Sequence, residues 1–299
     1  MFKNLLVYRI APQGLASVQA TEEKLQAACF AECGATQPRS AGWVAPRGVA
    51  HGPLLEVVDG QWLMALKIEQ KILPGPVVKR QVELLATRIE AQTGRKPGRK
   101  QLRELKDQAQ LDLMPMAFTK QAILRVWIAP AQQLLMVDAD SAAKADEVLT
   151  QIGKAIDGLA ARMINTAVSP AVAMTDWLAS GEAPAGFTVD RDCELKAADG
   201  EKPTVRYARH ALDIVEVREH LLAGKQPTRL ALTWQGRVSF VLTDSLQIKR
   251  LAFLDGVFEA GKASQDESFD ADAAIATGEL APLIAALIDA LGGEAVIGA

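Results

Sequence analysis

Carboxylate pairs are the residues in this 299-residue chain whose type and spacing could do chemistry. A metal-dependent nuclease uses such oxygen ligands to hold Mg²⁺ against a scissile phosphate. Asp138 is the sharpest candidate because it ends an apolar strand, and a Mg²⁺-dependent nuclease that uses Asp138 and Asp140 stays open as the alternative function. No complete set of catalytic residues surrounds any pair, so turns in contact with solvent are the favoured interpretation. The pairs are Asp138 and Asp140, Asp190 and Asp192, and Asp270 and Asp272.

The other candidate sites are weaker still. Cys29 and Cys33, with His51 downstream, supply three ligands of unproven proximity, and we expect the two cysteines to be buried structural residues. The segment GRKPGRK at 94–100 is one residue too short between its glycines for a phosphate-binding P-loop, and Gln101 stands where a Ser or Thr should bind magnesium. The sequence therefore predicts no metal, no cofactor and no enzymatic activity.

Positive charge is concentrated in one segment. Between Lys79 and Asp107 there are nine Lys or Arg and four Asp or Glu, a formal charge of +5, whereas the whole chain carries -3. Within it, the run RKPGRKQLRELK at 95–106 holds six bases and one acid. On a polyanion, each Lys or Arg that meets a phosphate releases counterions and adds affinity that does not depend on sequence. The segregated charge therefore points to nucleic acid, while a charged surface hairpin without a partner stays open.

Two helices are predicted to carry this charge. An apolar stripe at i, i+4, i+7 and i+11 runs through 77–92, and Gly94, Pro97 and Gly98 interrupt the helical pattern before it resumes. At 100° per residue, Arg99, Arg103 and Lys106 lie within about 60° of one another on the second helix. The prediction is a helical hairpin with a basic tip. Its candidate DNA-binding residues are Lys79, Arg80, Arg88, Arg95, Lys96, Arg99, Lys100, Arg103 and Lys106.

An apolar segment follows the hairpin, at Leu113 to Phe118. We expect a short loop here, and apolar side chains on a loop usually mark a contact surface. Packing in a local core is the alternative. The candidate interface residues are Leu113, Met114, Met116 and Phe118.

The elements around the hairpin predict an α+β fold. Strands are expected at 2–10, 42–45, 61–73, 122–128 and 133–137, and helices at 21–31, capped by Thr21, and at 141–160. Their order indicates an α+β unit into which the hairpin is inserted. A second unit follows, with an antiparallel meander over 229–254 and a late helix from Glu279 to Leu291 that ends at two glycines. An odd number of cysteines and the lack of a run of 18 apolar residues predict a cytoplasmic protein.

Several segments together resemble one known family. They are FKNLLVYRI at the start, GWVAPRG at 42–48, KILPGPVVKRQVE at 71–83, LMPMAF, WIAPAQQLLMVDADSAAKADEVL, LTWQGRVSFVLTDSLQIKRLAF and the late GELAPLIAALIDALGGEA. In this order and over the whole chain they are similar to the recombination-associated RdgC family of proteobacteria. The resemblance is far more specific than any one motif.

The resemblance implies an α+β homodimer, with antiparallel sheets and a helical finger, that closes into a ring with a positively charged hole. Such a protein binds double-stranded and single-stranded DNA without sequence preference and restrains RecA-promoted strand exchange, without enzymatic activity, in the cytoplasm at the nucleoid. The expected organisation is a core unit of residues 1–75 and 113–182, a finger of residues 76–112 and a C-terminal unit of residues 183–299. If both units line the hole, Arg206, Arg209, Lys249 and Arg250 are expected to join the DNA-binding set.

Overall fold

Two antiparallel sheets packed with helices form the architecture, and this confirms the predicted α+β class. The computed structural model describes residues 2–11, 15, 17–156, 158–197, 203–258 and 265–295. The first sheet has seven strands in the order β2-β4-β5-β6-β1-β7, and β3 pairs with β4 beside β2. Its strands are β1 (Leu6–Ile10), β2 (Arg39–Val44), β3 (Leu55–Val58), β4 (Gln61–Ile72), β5 (Phe118–Ala129), β6 (Leu134–Val137) and β7 (Ala161–Met163).

Strands β4 and β5 form a long hairpin, and the finger is the connection between them. Their pairing runs without interruption from Trp62 and Ile128 to Ile72 and Phe118. The expected apolar loop at 113–118 is therefore wrong: Met114–Met116 is a single 3₁₀ turn, and Phe118 already belongs to β5. The sequence pattern missed this because the extra strand residues pair with β4 across the hairpin and show no apolar alternation of their own.

The second sheet has the strand order β12-β11-β10-β8-β9. The expected meander is present as β10, β11 and β12, whose chain reversals follow Trp234 and Thr243. In β10, Leu230, Leu232 and Trp234 are buried and alternate with residues on the opposite side, which we call the outer face of the second sheet. The strands are β8 (Phe187–Ala197), β9 (Thr204–Tyr207), β10 (Lys225–Trp234), β11 (Val238–Thr243) and β12 (Ile248–Phe253).

Seven helices lie among the described residues. The first is capped by the Ser17 hydroxyl, which accepts the Ala20 N–H at 3.2 Å, so the cap expected at Thr21 is wrong and Thr21 is a buried helical residue. Ser141 occupies the N-cap position of the fourth helix without a side-chain capping hydrogen bond, and this helix ends at Ala155. The helices are α1 (Val18–Ala27), α2 (Gly75–Thr93), α3 (Arg99–Leu113), α4 (Ala142–Ala155), α5 (Pro170–Ser180), α6 (Val215–Leu222) and α7 (Gln265–Ala290).

Helix α7 is twice as long as the sequence pattern suggested, because it begins at Gln265 instead of Glu279 and continues through Pro282. Its stretch Ser268–Ala290 is long and apolar enough to meet a composition criterion for a membrane span. However, Leu280, Leu283 and Leu287 are buried in the core beside the second sheet, as expected for a packed core helix.

Two apolar cores fix the two sheets in place. One core lies between the first sheet and helices α1 and α4, and the fully buried Trp43 belongs to it. The other core contains side chains of both sheets and of α5 and α7; Trp127 of the first sheet and Phe240 of the second belong to it. The backbone of Leu5 also exchanges hydrogen bonds with Ile248, at 2.7 and 3.0 Å, so the edge of the second sheet is joined to the N-terminal segment. The first sheet thereby supports both the finger and the second sheet.

Candidate nucleic-acid interface

The finger, residues 75–113, is two antiparallel helices joined by a short turn. Pro76 lies in the first turn of α2, where a missing N–H is tolerated, and Gly94 ends the helix in the left-handed conformation with φ 70°. Helix α3 begins after Gly98. Val78 and Ala109 are the buried residues of the two helices, so only a narrow seam holds them together. Most of the finger surface is left in contact with solvent.

All nine basic residues predicted on the finger are exposed. Within the described ranges, the one ion pair that involves them joins Lys79 Nζ to Glu83 Oε1 at 3.9 Å, between side chains that are both largely exposed. A pair of this kind contributes little to stability and neutralises little charge. The finger therefore presents positive charge that the protein itself does not neutralise. Lys79, Arg80 and Arg88 lie on α2, Arg95 and Lys96 in the turn, and Arg99, Lys100, Arg103 and Lys106 on α3.

Apolar side chains are exposed at the base of the finger. Phe118 is 85% exposed and Met116 is 75% exposed, while Leu113 and Met114 are half-buried. Ile72, the partner of Phe118 across the β4–β5 hairpin, is exposed as well. An aromatic ring that is left so open in one chain is a feature of contact surfaces. We call Leu113, Met114, Met116 and Phe118 the apolar base.

The four basic residues predicted in the C-terminal unit lie together at the outer face of the second sheet. Arg206, Lys249 and Arg250 line a cavity of about 310 Å³. Arg209 and Arg250 line a neighbouring cavity of about 720 Å³. These four residues form a group separate from the nine on the finger, because they lie at the second sheet and the finger extends from the first.

The charges at the outer face are partly neutralised by a buried carboxylate. Glu194 Oε2 accepts the Arg206 Nε at 2.5 Å, Oε1 lies 3.0 Å from Lys196 Nζ, and the Thr228 hydroxyl donates to Oε1 at 2.9 Å. Burial by itself raises the pKa of Glu194, but these hydrogen bonds outweigh it and lower the pKa to about 2. Lys249 Nζ also donates to the Asp140 carbonyl oxygen at 3.0 Å. Arg206 and Lys249 therefore already have acceptors within the protein.

The carboxylates of Asp138 and Asp140 bind different partners. The Asp138 carboxylate accepts the Asn4 N–H at 2.8 Å and the Lys3 N–H at 3.2 Å, while burial raises its pKa. Asp140 pairs with Lys144 Nζ at 2.7 Å, which lowers its pKa. The part of the chain that the structure describes contains no group of three or more His, Cys, Asp or Glu that could hold a metal ion. This arrangement gives the nuclease alternative no support.

The cysteines do not form one site. Cys29 is exposed and Cys33 is half-buried, so the expectation that both are buried is wrong for Cys29 and only partly met by Cys33. The reason is that α1 ends at Ala27, and Cys29 forms a bridge along the edge of β2 instead of facing the core. Cys193 is the buried cysteine, and burial raises its pKa to about 12. A thiol with so high a pKa is a poor nucleophile at neutral pH.

Arg229 is a basic residue that sequence reasoning missed. It lies in the same cavity as Arg206, Lys249 and Arg250. The available signal was the alternation in RLALTW, which places Leu230, Leu232 and Trp234 on the core side and leaves Arg229 on the outer face. An arginine on the exposed side of a central strand does not distinguish a binding residue from ordinary surface charge, so that signal alone was insufficient.

Known proteins resemble this chain over nearly its whole length. A family model described as "RdgC: Putative exonuclease, RdgC" matches residues 1–294. A protein of Dechloromonas aromatica (strain RCB) named "Recombination-associated protein RdgC" is 48% identical over 301 residues, which cover 99% of this chain and 98% of that protein. Proteins of the same name from Cupriavidus pinatubonensis and Bordetella parapertussis are 45% and 43% identical, each over 98% of both chains.

Proposed function

Because the chain belongs to the RdgC family of recombination-associated proteins, we propose that it binds double-stranded and single-stranded DNA without sequence preference. One observation carries the proposal: nine exposed Lys and Arg side chains lie on one finger with a single long ion pair among them. Phosphates bind such charges through counterion release, which depends on salt and not on base sequence. The helices of the finger hold the charges on a fixed frame, so little order must be imposed on binding.

We propose that two copies close into a ring around the duplex, with the apolar base as one of their contacts. Two chains related by a two-fold axis place the same patch against itself, and a closed ring of two chains needs two such contacts. Phe118 suits this role because a phenyl ring buries a large area with only two torsions to fix. Its 85% exposure in the single chain supports a partner at this position.

The biological role that follows is restraint of recombination. A clamp that occupies duplex or single-stranded DNA denies the same DNA to a recombinase, so we propose that this protein antagonises RecA-promoted strand exchange. The role requires no cofactor, metal or catalytic residue. It also implies a cytoplasmic protein associated with the nucleoid.

DNA retention and DNA cleavage separate this function from the nuclease alternative. Purified protein is incubated with end-labelled linear DNA and with closed circular DNA, with and without Mg²⁺, and the products are resolved on native and denaturing gels. We expect retarded but intact DNA in every lane, with the same affinity for unrelated sequences. Shortened or nicked products that require Mg²⁺ and disappear in Asp138→Asn would favour the nuclease instead.

A further inference from the structure

The cavity of about 310 Å³ at the outer face of the second sheet has features that duplex binding does not require. Arg229, Lys249 and Arg250 line it from two different strands, together with Asn4 from the N-terminal segment. Val241 and Ala208 add apolar surface to its wall. A concave site that combines apolar surface with a few converging polar groups is typical of a small-molecule site.

Three strands depart from regular pairing where they reach this cavity. Strand β10 contains an extra residue between Pro227 and Arg229, and β8 contains extra residues between Val189 and Cys193. The pairing of β11 with β12 shifts its register between Ser239 and Val241, and there Arg250 adopts the left-handed conformation with φ 53°. Bulges redirect side chains and are frequent beside functional sites, and a left-handed arginine costs free energy that the surrounding fold must supply. The irregularities coincide with the residues that line the cavity.

The carboxylates of the cavity are each occupied by another group. Glu194 binds Arg206 and Lys196, Asp140 binds Lys144, and Asp192 accepts the backbone N–H of Arg209 at 2.6 Å. The guanidinium groups of Arg229 and Arg250, by contrast, have no hydrogen-bond or ion-pair partner in the described ranges. Lys249 uses one N–H, toward the Asp140 carbonyl oxygen. Three cationic side chains therefore keep free donors toward one cavity.

Asn4 adds a neutral donor to this set. Its Oδ1 accepts the Arg250 N–H at 3.3 Å, and its own N–H is fixed by Asp138 at 2.8 Å. Within the part of the chain that the structure describes, the side-chain amide nitrogen of Asn4 keeps both of its N–H donors. A ligand with several acceptor oxygens and negative charge would satisfy the free donors of Asn4, Arg229, Lys249 and Arg250 together.

We infer that this cavity binds the phosphomonoester group of a mononucleotide. A phosphomonoester has three acceptor oxygens and a charge of about −1.5 to −2 at neutral pH, whereas a phosphodiester in a DNA backbone has two free oxygens and a single charge. Three free cations match the monoester better. The sugar and base would lie against Val241 and Ala208. The inference goes beyond the proposed function, which concerns phosphodiesters along a DNA strand. A free nucleotide and the phosphorylated end of a DNA strand both carry a phosphomonoester, so both are possible sources of the ligand.

Thymidine 5′-monophosphate is the probe that tests the inference on the full-length protein. Its binding is measured by isothermal titration calorimetry beside thymidine and inorganic phosphate. We expect the monophosphate to bind, inorganic phosphate to compete with it and thymidine to show no binding. Arg229→Gln should weaken monophosphate binding at least about tenfold, because it removes one charge-assisted hydrogen bond, and Arg229→Lys should lie between the two.

Arg191→Gln is the matched control, since Arg191 is an exposed arginine of the same sheet that does not line this cavity. It should bind the monophosphate as the unmodified protein does. Equal binding of thymidine and its monophosphate, or an unchanged affinity in Arg229→Gln, would overturn the inference. Weak binding by Arg229→Gln supports the inference only if the melting temperature of this variant is unchanged. If the melting temperature falls, monophosphate binding by Arg229→Lys and Lys249→Gln is measured in the same way and decides the question.

Two further arms identify the source of the phosphate and separate this inference from the proposed function. Oligonucleotides with a 5′-phosphate or a 5′-hydroxyl are compared as competitors of a fluorescent monophosphate. Stronger competition by the 5′-phosphate supports a strand end as the ligand, and equal competition supports a free nucleotide. If Arg229→Gln loses monophosphate binding and keeps its duplex affinity, the result supports the nucleotide site and leaves the proposed DNA binding intact. If the unmodified protein binds duplex DNA but not the monophosphate, the inference about the cavity is refuted and the proposed function is not.

Discussion

The finger and the outer face of the second sheet carry positive charge in opposite ways. Nine cations on the finger are exposed, and one of them forms a 3.9 Å ion pair with Glu83. On the second sheet, Arg206 is 2.5 Å from the buried Glu194, and Lys249 donates to a carbonyl oxygen at 3.0 Å. The positive charge of the finger is thus available to a binding partner, while carboxylate and carbonyl groups of the protein neutralise part of the charge at the second sheet.

Under the two proposals above, this difference would let one protein combine general and local recognition of phosphate. Unneutralised cations on a projecting hairpin attract any polyanion and give affinity that depends on salt. Cations that lie among carboxylates in a cavity attract a polyanion less strongly, because part of their charge is neutralised. Their affinity for a ligand depends more on its shape, because the ligand must fit between groups that are already fixed. We therefore expect the finger to dominate duplex affinity and the second sheet to contribute less.

The largest expected effect is loss of the basic tip of the finger. Replacing Arg95, Lys96, Arg99 and Lys100 with Gln should weaken duplex binding by about 4 × 10³-fold at 0.1 M salt, if each residue contacts one phosphate. Unrelated DNA sequences should weaken alike, which fluorescence anisotropy on three duplexes would measure. Loss of affinity for one duplex only would mean that the finger reads base sequence.

The apolar base is expected to give the next largest effect. Phe118→Ala should cost about 2 kcal/mol or more at its contact if the ring is fully desolvated there. The variant should stay dimeric through a second contact and bind linear DNA, while it loses closed circular DNA under a salt challenge. Leu222→Ala is the matched control, because Leu222 is 89% exposed on α6.

Thermal unfolding and circular-DNA retention are measured together for this variant. A large fall in the melting temperature of the monomer would assign Phe118 to a core, and no change in either quantity would remove it from the dimer contact.

Neutralising the second sheet should have a smaller effect on duplex binding than neutralising the finger. With Gln at Arg206, Arg209, Lys249 and Arg250, affinity should fall by about fiftyfold at 0.1 M salt, if only Arg209 and Arg250 contact phosphates. The same number of charges is removed as in the finger variant, so the two variants are controls for each other. Charge reversal of all four residues with duplex affinity intact would exclude this face from DNA binding.

The smallest expected effect concerns acid stability at the base of the finger. Glu69 is buried on β4 and accepts the Cys33 N–H at 2.7 Å and the Gln121 side-chain amide at 2.9 Å, which lower its pKa from 4.5 to about 2. A carboxylate with a lowered folded pKa stabilises the protein above its ordinary pKa, and that stability is lost as the pH falls from about 4.5 to about 2.

Glu69→Gln should remove this part of the acid sensitivity, because the amide does not titrate. Denaturant unfolding at pH values from 6 to 2.5 would show a shallower loss of unfolding free energy in the variant. An identical pH profile for both proteins would mean that the two hydrogen bonds do not stabilise the charged form.

Local signals explain which parts of the fold could be predicted from the sequence. The apolar stripe of α2, Gly94 and the Pro97-Gly98 pair act within a few residues, and the finger lies within about two residues of its expected limits. The meander of the second sheet is close to expectation for the same reason. The family was recognised correctly because its motifs extend along the whole chain.

Non-local contacts explain what could not be predicted. Phe118 extends β5 because it pairs with Ile72. Helix α7 begins well before Glu279 because its early residues Phe269 and Asp270 contact Arg47, which is far away in the sequence. The Arg229 cavity depends on irregular pairing in the second sheet, which no single segment of the sequence reveals. The nine finger cations were evident from composition. The structure was needed to show that, among the described residues, the long ion pair between Lys79 and Glu83 is the one pairing of these cations with an acid.

The dependence of duplex affinity on salt tests most directly whether the finger carries DNA binding. The logarithm of the binding constant is measured against the logarithm of salt concentration for the unmodified protein and for the variant with Gln at 95, 96, 99 and 100. The account predicts a steep linear dependence whose slope falls in magnitude by about 0.9 for each phosphate that the variant no longer neutralises, or about 3.6 for all four. An unchanged slope in the variant would contradict it.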